Sequence, residues 1–189
     1  MVIPPKKAKT DRDSFLIFAS GVLVFLVGLN PEFIGFQTRF ALFAQEMLRY
    51  GPTFFPTTYR VPYPDYPAAS TYLIYLVSLP FGKVTVLSAV LPTAIVSAFI
   101  LVLIYRLAAI HSIEWGLYAV LLTFFTVEFL HQSRSISLDQ YTSLASILCI
   151  YLAYSSEVFG HTKRLWLIPF VFVGVFFSVA SSEWLSLRR

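Results

Sequence analysis

From Val84 to Tyr105 the chain runs without a single Asp, Glu, Lys or Arg. A helix crossing roughly 30 Å of hydrocarbon needs about 20 apolar residues at 1.5 Å of rise each, and this stretch meets that length. Four further segments meet it or come close: Ser14 to Asn30, Trp115 to Leu130, Gln140 to Ser156 and Leu165 to Ser182. Tyr105, Trp115, Tyr154, Trp166 and Trp184 stand near segment ends, where side chains with an apolar body and a polar tip settle at the membrane interface. With 57% hydrophobic against 13% charged residues, the chain is too apolar for a soluble domain of its length. The expected fold class is an all-α membrane protein with about five transmembrane helices and two juxtamembrane helices in its first external loop.

The basic residues sit at segment ends rather than along one face, so a net charge of +4 gives no footprint for nucleic acid. Membrane lipids are the expected partners. The single cysteine, Cys149, lies inside an apolar run and reads as a small buried hydrophobe. His111 and His161 have no carboxylate or cysteine at ligand spacing and read as interfacial loop residues. No internal repeat or broken span is legible, which argues against a transporter.

Lys6, Lys7, Lys9 and Arg12 precede the first segment, and no small-x-small cleavage site follows it. Residues 14–30 therefore read as an uncleaved signal anchor with the N-terminus in the cytoplasm. The rest of the single module over 1–189 divides into an extracytoplasmic loop, 31–83, and a four-span bundle, 84–189. Arg106 with His111, and His161 with Lys163 and Arg164, are consistent with cytoplasmic turns, although the count of Lys and Arg on the two sides does not by itself decide between five spans and six.

The loop has its own punctuation. Phe36, Phe40, Phe43, Met47 and Tyr50 recur at alternating spacings of four and three, which predicts an amphipathic helix over 36–50 with Arg39, Glu46 and Arg49 on its polar side. Gly51 and Pro52 close it. Pro56, Pro62, Pro64 and Pro67 then interleave with Tyr59, Tyr63 and Tyr66, a density that predicts an extended loop with neither helix nor strand. Ala68 to Gly82 is apolar but only about 22 Å long if helical, and reads as a second juxtamembrane helix.

The runs Thr38-Arg39-Phe40-Ala41, Gln45-Glu46-Met47-Leu48 to Gly51, Tyr63-Pro64-Asp65-Tyr66-Pro67 and Leu79-Pro80-Phe81-Gly82 together resemble the first extracytoplasmic loop of polyprenyl-phosphate-sugar-dependent glycosyltransferases. These are membrane enzymes of the glycosyltransferase-C superfamily, such as the lipid A aminoarabinose transferases and the protein O-mannosyltransferases. Ser135-Ile136-Ser137-Leu138-Asp139 resembles the second external loop of the same family, and the similarity runs in order to about Ser181. It implies a bacterial inner-membrane protein that handles a polyprenyl-phosphate-linked sugar.

The family's reaction displaces a polyprenyl phosphate from a sugar by an acceptor hydroxyl. The attack needs a general base, and the departing phosphate needs positive charge or a divalent metal. The resemblance implies Asp139 and Asp65 as catalytic candidates, with Arg39, Tyr63 and Arg134 as substrate-binding candidates. Asp139 reads equally as an N-cap of the following helix, and Asp65 as a partner of Arg60. Glu32 is a further acidic residue near the site, and Glu128 inside a span reads either as functional or as a carboxylate snorkelling toward Arg134. The chain departs from the family pattern where it matters chemically. Phe36 stands where an acidic residue is expected, Tyr66 where a lysine is expected, and Ser182-Glu183-Trp184 replaces a basic-glycine pair. The expectation is a truncated or noncatalytic module, with an active glycosyltransferase as the alternative.

Overall fold

Helix dominates the residues described by the computed structural model, which are 7–29, 32–33, 35, 37–53, 55–63 and 68–179. Eight α-helices occur among them: α1 (Lys7–Leu26), α2 (Gln37–Tyr50), α3 (Ala68–Ser78), α4 (Val86–Ala108), α5 (Ile113–Phe124), α6 (Val127–Ser133), α7 (Asp139–Phe159) and α8 (Leu167–Val179). Short 3₁₀ turns cover Leu79–Phe81 and Thr162–Trp166, and β1 (Thr57–Thr58) pairs with β2 (Val61–Pro62). By length and composition α4 and α7 can each cross a membrane, and α5 with α6 add a third crossing if the pair is one span. The chain forms two compact units, 1–27 with 93–172 and 28–92 with 173–189.

In the first unit the charged start of α1 is helical, and its polar groups meet the end of α4. The Arg106 guanidinium donates to Asp11 at 2.8 Å and to the Ser14 hydroxyl at 3.0 Å, and the Tyr105 hydroxyl donates to Asp13 at 3.1 Å. Further along, Gly21 lies against Ala98, where a Cβ would sit 3.4 Å from the alanine methyl, and Phe25 is buried with Ala94, Ala98 and Leu101. Successive contacts thus run in opposite senses, so α1 and α4 pack antiparallel. Small residues at their seam let the backbones approach, the usual route to tight helix contact where lipid removes the hydrophobic drive.

α5 then crosses the end of α4 at Gly116, where a Cβ would fall 2.8 Å from the Tyr105 ring. The end of α5 and the following α6 return to α1, with the rings of Phe124 and Phe129 centred 6.0 and 6.1 Å from that of Phe25. α7 runs back again, bringing the Tyr154 hydroxyl within 3.1 Å of His111 Nε2. One end of this unit therefore gathers Arg106, His111 and Tyr154. The other joins Val27 to Arg134, whose guanidinium donates to the Val27 carbonyl at 2.7 Å.

The segment Trp115 to Leu130, expected as one straight span, is instead two helices, α5 and α6, bent by 75°. No proline or glycine marks the break. At the break the hydroxyls of Thr123 and Thr126 donate back to the carbonyls of Ala119 at 2.9 Å and Leu122 at 3.0 Å. Glu128 consequently stands in the first turn of α6, exposed, and accepts a hydrogen bond from Gln132 at 2.6 Å.

In the second unit α2 buries Phe40, Ala41, Phe43, Ala44 and Met47 and exposes Arg39 and Arg49, as its spacing predicts. Two residues depart from the expected faces. Tyr50 is 54% exposed, beyond the end of the apolar stripe, and Glu46 is buried at 7% exposure. Phe36 lies outside the described residues.

The proline-rich stretch also departs from expectation, because a short antiparallel hairpin forms within it. Thr57 pairs with Pro62 and Thr58 with Val61. Proline is tolerated because this two-stranded ladder has free edges, and the next N–H, that of Tyr63, continues the pairing by donating to the Pro56 carbonyl at 2.7 Å. α3 and the 3₁₀ turn after it form the second short helix expected over 68–82. The turn ends at Gly82, whose φ of 63° suits a residue without a Cβ. The Tyr72 hydroxyl ties α3 to the Thr53 carbonyl at 2.6 Å, and Gln45 of α2 accepts the Val84 N–H at 2.9 Å.

Candidate functional site

The centre of the second unit's polar chemistry is a carboxylate that the helical wheel assigns to the wrong side. Tyr59 and Arg60, the two residues of the hairpin turn, both have positive φ, 53° and 65°. A type I′ turn requires this and normally uses Asn-Gly. For side-chain-bearing residues the conformation costs roughly 1–2 kcal/mol each. Glu46 supplies the compensation: its carboxylate accepts the Thr57 hydroxyl at 2.7 Å, the Tyr59 N–H, and the Arg60 N–H at 3.4 Å. Hydrogen bonds to a charged group contribute about 1.5–3 kcal/mol each, so two good ones offset the turn. The same bonds satisfy a carboxylate that would otherwise be costly to bury.

The turn fixes what surrounds it. The Arg60 guanidinium lies 4.3 Å from the centre of the Tyr50 ring, a cation–π stack. Arg60, Tyr59 and Tyr50 then line an open cavity of about 330 Å³ together with Gln45, Glu46 and Arg49.

The candidate catalytic residue Asp139 opens α7. It is exposed, and Leu138 rather than Asp139 holds the N-cap position, so the N-cap reading is corrected. Its carboxylate instead sits in the first helical turn, where the helix dipole favours negative charge. It borders an open groove of about 420 Å³ lined along α7 by Thr142, Ser143, Ser146, Ile147 and Ile150. Gln140 beside it is buried, and its amide donates to Gln132 at 3.5 Å.

The remaining candidates are distributed between the units. Asp139 and Arg134 belong to the first, where Arg134 holds the Val27 carbonyl. Arg39 and Tyr63 belong to the second. Arg39 is exposed in the first turn of α2, and Tyr63 is half-buried with its ring 5.6 Å from that of Phe43. Asp65 lies outside the described residues, as does Tyr66. Exposed Glu32 lies in the second unit. Among the described residues no three His, Cys, Asp or Glu side chains come together.

Sequence reasoning missed Glu46 as an organising group. The only local signal was a buried-helix carboxylate followed, past Gly51-Pro52, by two Thr residues with hydroxyls to donate. No family model, curated protein or solved structure matches the chain.

Proposed function

We propose that this chain is an integral membrane module of glycosyltransferase-C type that does not transfer sugar with its own side chains. The observation that carries this reading is the state of the loop's central carboxylate. Glu46 lies in the Gln45-Glu46-Met47-Leu48 run that resembles the family, but it is buried and occupied by the hairpin. A base must reach the acceptor hydroxyl within about 2.6–3.2 Å and be able to take up its proton. Glu46 is committed to other donors, and the position where the family carries its acid is Phe36.

In this reading five spans are formed by α1, α4, the bent pair α5–α6, α7 and α8, in a bacterial inner membrane. The N-terminus, Arg106, His111 and Lys163 face the cytoplasm, and the hairpin and Asp139 face outward. Support comes from the antiparallel order of the first unit, which brings Arg106 to the same end as the basic start of α1, in keeping with an excess of Lys and Arg on the cytoplasmic side. The module would hold membrane lipid and a polyprenyl-phosphate-linked sugar without turning it over.

A second reading has one specific observation in its favour. Asp139 is exposed and borders an open groove with Thr142, Ser143 and Ser146, the placement an acceptor-activating base would need in an active glycosyltransferase. Transfer of labelled sugar from a polyprenyl-phosphate donor, compared between the chain and its Asp139→Asn variant, separates the two.

A further inference from the structure

We infer that the hairpin and the last turn of α2 form a site for a phosphate group, held by Arg49 and Arg60. The inference does not depend on the transferase reading, and neither arginine lies at a position that the resemblance assigns to substrate.

Three observations converge. First, Arg49 and Arg60 line one open cavity, and among the described residues neither is in an ion pair. Two guanidiniums sharing a cavity repel each other; the one formal negative charge on the cavity wall is Glu46, with the Tyr50 ring under Arg60 and the carbonyl end of α2 beside Arg49 as weaker partners. That carboxylate is spent on the Thr57 hydroxyl and the Tyr59 and Arg60 N–H groups, so the lining keeps one net positive charge. Second, Arg60 is held in place. Its backbone is fixed in a left-handed turn by Glu46, and its guanidinium is stacked on Tyr50. An arginine whose conformation is already fixed loses less entropy on binding an anion, and its planar fork matches phosphate oxygens in pairs. Third, a strained turn persists only where surrounding structure over-determines it, and such places cluster at ligand clamps. Here the device that holds the strain also sets the position of Arg60.

The ligand chemistry is a phosphate monoester, a phosphodiester headgroup or pyrophosphate: an anion that the two arginines bordering this cavity would hold, with Tyr59 and Gln45 as further polar groups in its lining. A lipid headgroup and a soluble phosphate share this chemistry, and the test distinguishes them.

Native mass spectrometry of the full chain in neutral detergent is titrated in one arm with phosphatidylglycerol and in the other with inorganic pyrophosphate. One saturable site is expected in at least one arm. The apparent Kd is expected to rise tenfold or more in R49Q/R60Q and to stay unchanged in K163Q/R164Q, which removes as much charge elsewhere. The single variant R49Q, which leaves the turn and the Tyr50 stack intact, is expected to weaken binding about threefold or more, so a folding defect in the double variant does not decide the matter. Saturation by lipid alone identifies a headgroup site, and saturation by pyrophosphate as well identifies a site for the phosphate group itself. Equal affinities in the wild type and the R49Q and R49Q/R60Q variants, or no saturable binding in either arm, would overturn the inference.

Discussion

The carboxylate of Glu46, in the third turn of a helix, accepts the hydroxyl of Thr57 at 2.7 Å across the Gly51-Pro52 break. That bond, with those to the Tyr59 and Arg60 N–H groups, turns a proline-rich connection into an ordered hairpin. Glu46→Ala removes all of them and leaves the left-handed turn uncompensated. The expected loss is about 1–3 kcal/mol of local stability, the scale of hydrogen bonds to a charged group. Trypsin cleavage after Arg60 reads it directly, and should accelerate about tenfold, since 1.4 kcal/mol is a factor of ten in the open population. Adding Tyr59→Gly, which relieves the positive φ, should recover part of the loss. Unchanged cleavage in Glu46→Ala would remove Glu46 from its organising role.

Gly116 sits where α5 crosses Tyr105, and a Cβ there would come within 2.8 Å of the ring and 3.0 Å of the Tyr105 carbonyl. Backbone cannot yield as a flexible side-chain tip can. Gly116→Ala should therefore destabilise the chain by about 1–3 kcal/mol, the range for overpacking, and lower its melting temperature in detergent. Gly174→Ala is the control, since nothing lies within 4 Å of its Cβ position, and it should not lower the melting temperature, because alanine in an unhindered helix position is favoured over glycine by about 1 kcal/mol.

Topology is tested by cysteine labelling in a Cys149→Ser background. Tyr59→Cys and Asp139→Cys should react with an impermeant thiol reagent from the outside, and Lys163→Cys only after permeabilisation. Equal outside reactivity of positions 59 and 163 would contradict the five-span arrangement.

The parts of the fold that were legible in the sequence are those set by one dimension of pattern. Two of the uncharged runs correspond to α4 and α7, and Gly51-Pro52 ended α2 where it does end. The parts that were not legible depend on partners distant in sequence or on competition between bonds. A helical wheel sends every charge outward, so Glu46 was placed on the polar face; only the Thr57 hydroxyl and two turn N–H groups make its burial tolerable. Tyr59-Arg60 lacks the Asn-Gly signature of a type I′ turn, so the hairpin had no local announcement. The 75° bend between α5 and α6 falls at Phe125-Thr126, where no proline or glycine announces it. Of the candidate site, the Leu138-Asp139 pair did mark the start of a helix and an exposed carboxylate, whereas the cradle of Arg49, Arg60 and Tyr50 could be found only once the hairpin was folded.

The central claim is that this chain is a transferase-like module without transferase chemistry of its own, and sugar transfer measures it most directly. Purified chain in liposomes is incubated with a labelled polyprenyl-phosphate sugar and a hydroxyl acceptor. A positioned base typically contributes 10²–10⁴-fold to such a displacement, and with Phe36 at the usual acidic position and Glu46 occupied by the hairpin, the account predicts no transfer above the protein-free background. Transfer that rises above background and disappears in Asp139→Asn would contradict it, and would make Asp139 the base of an active enzyme.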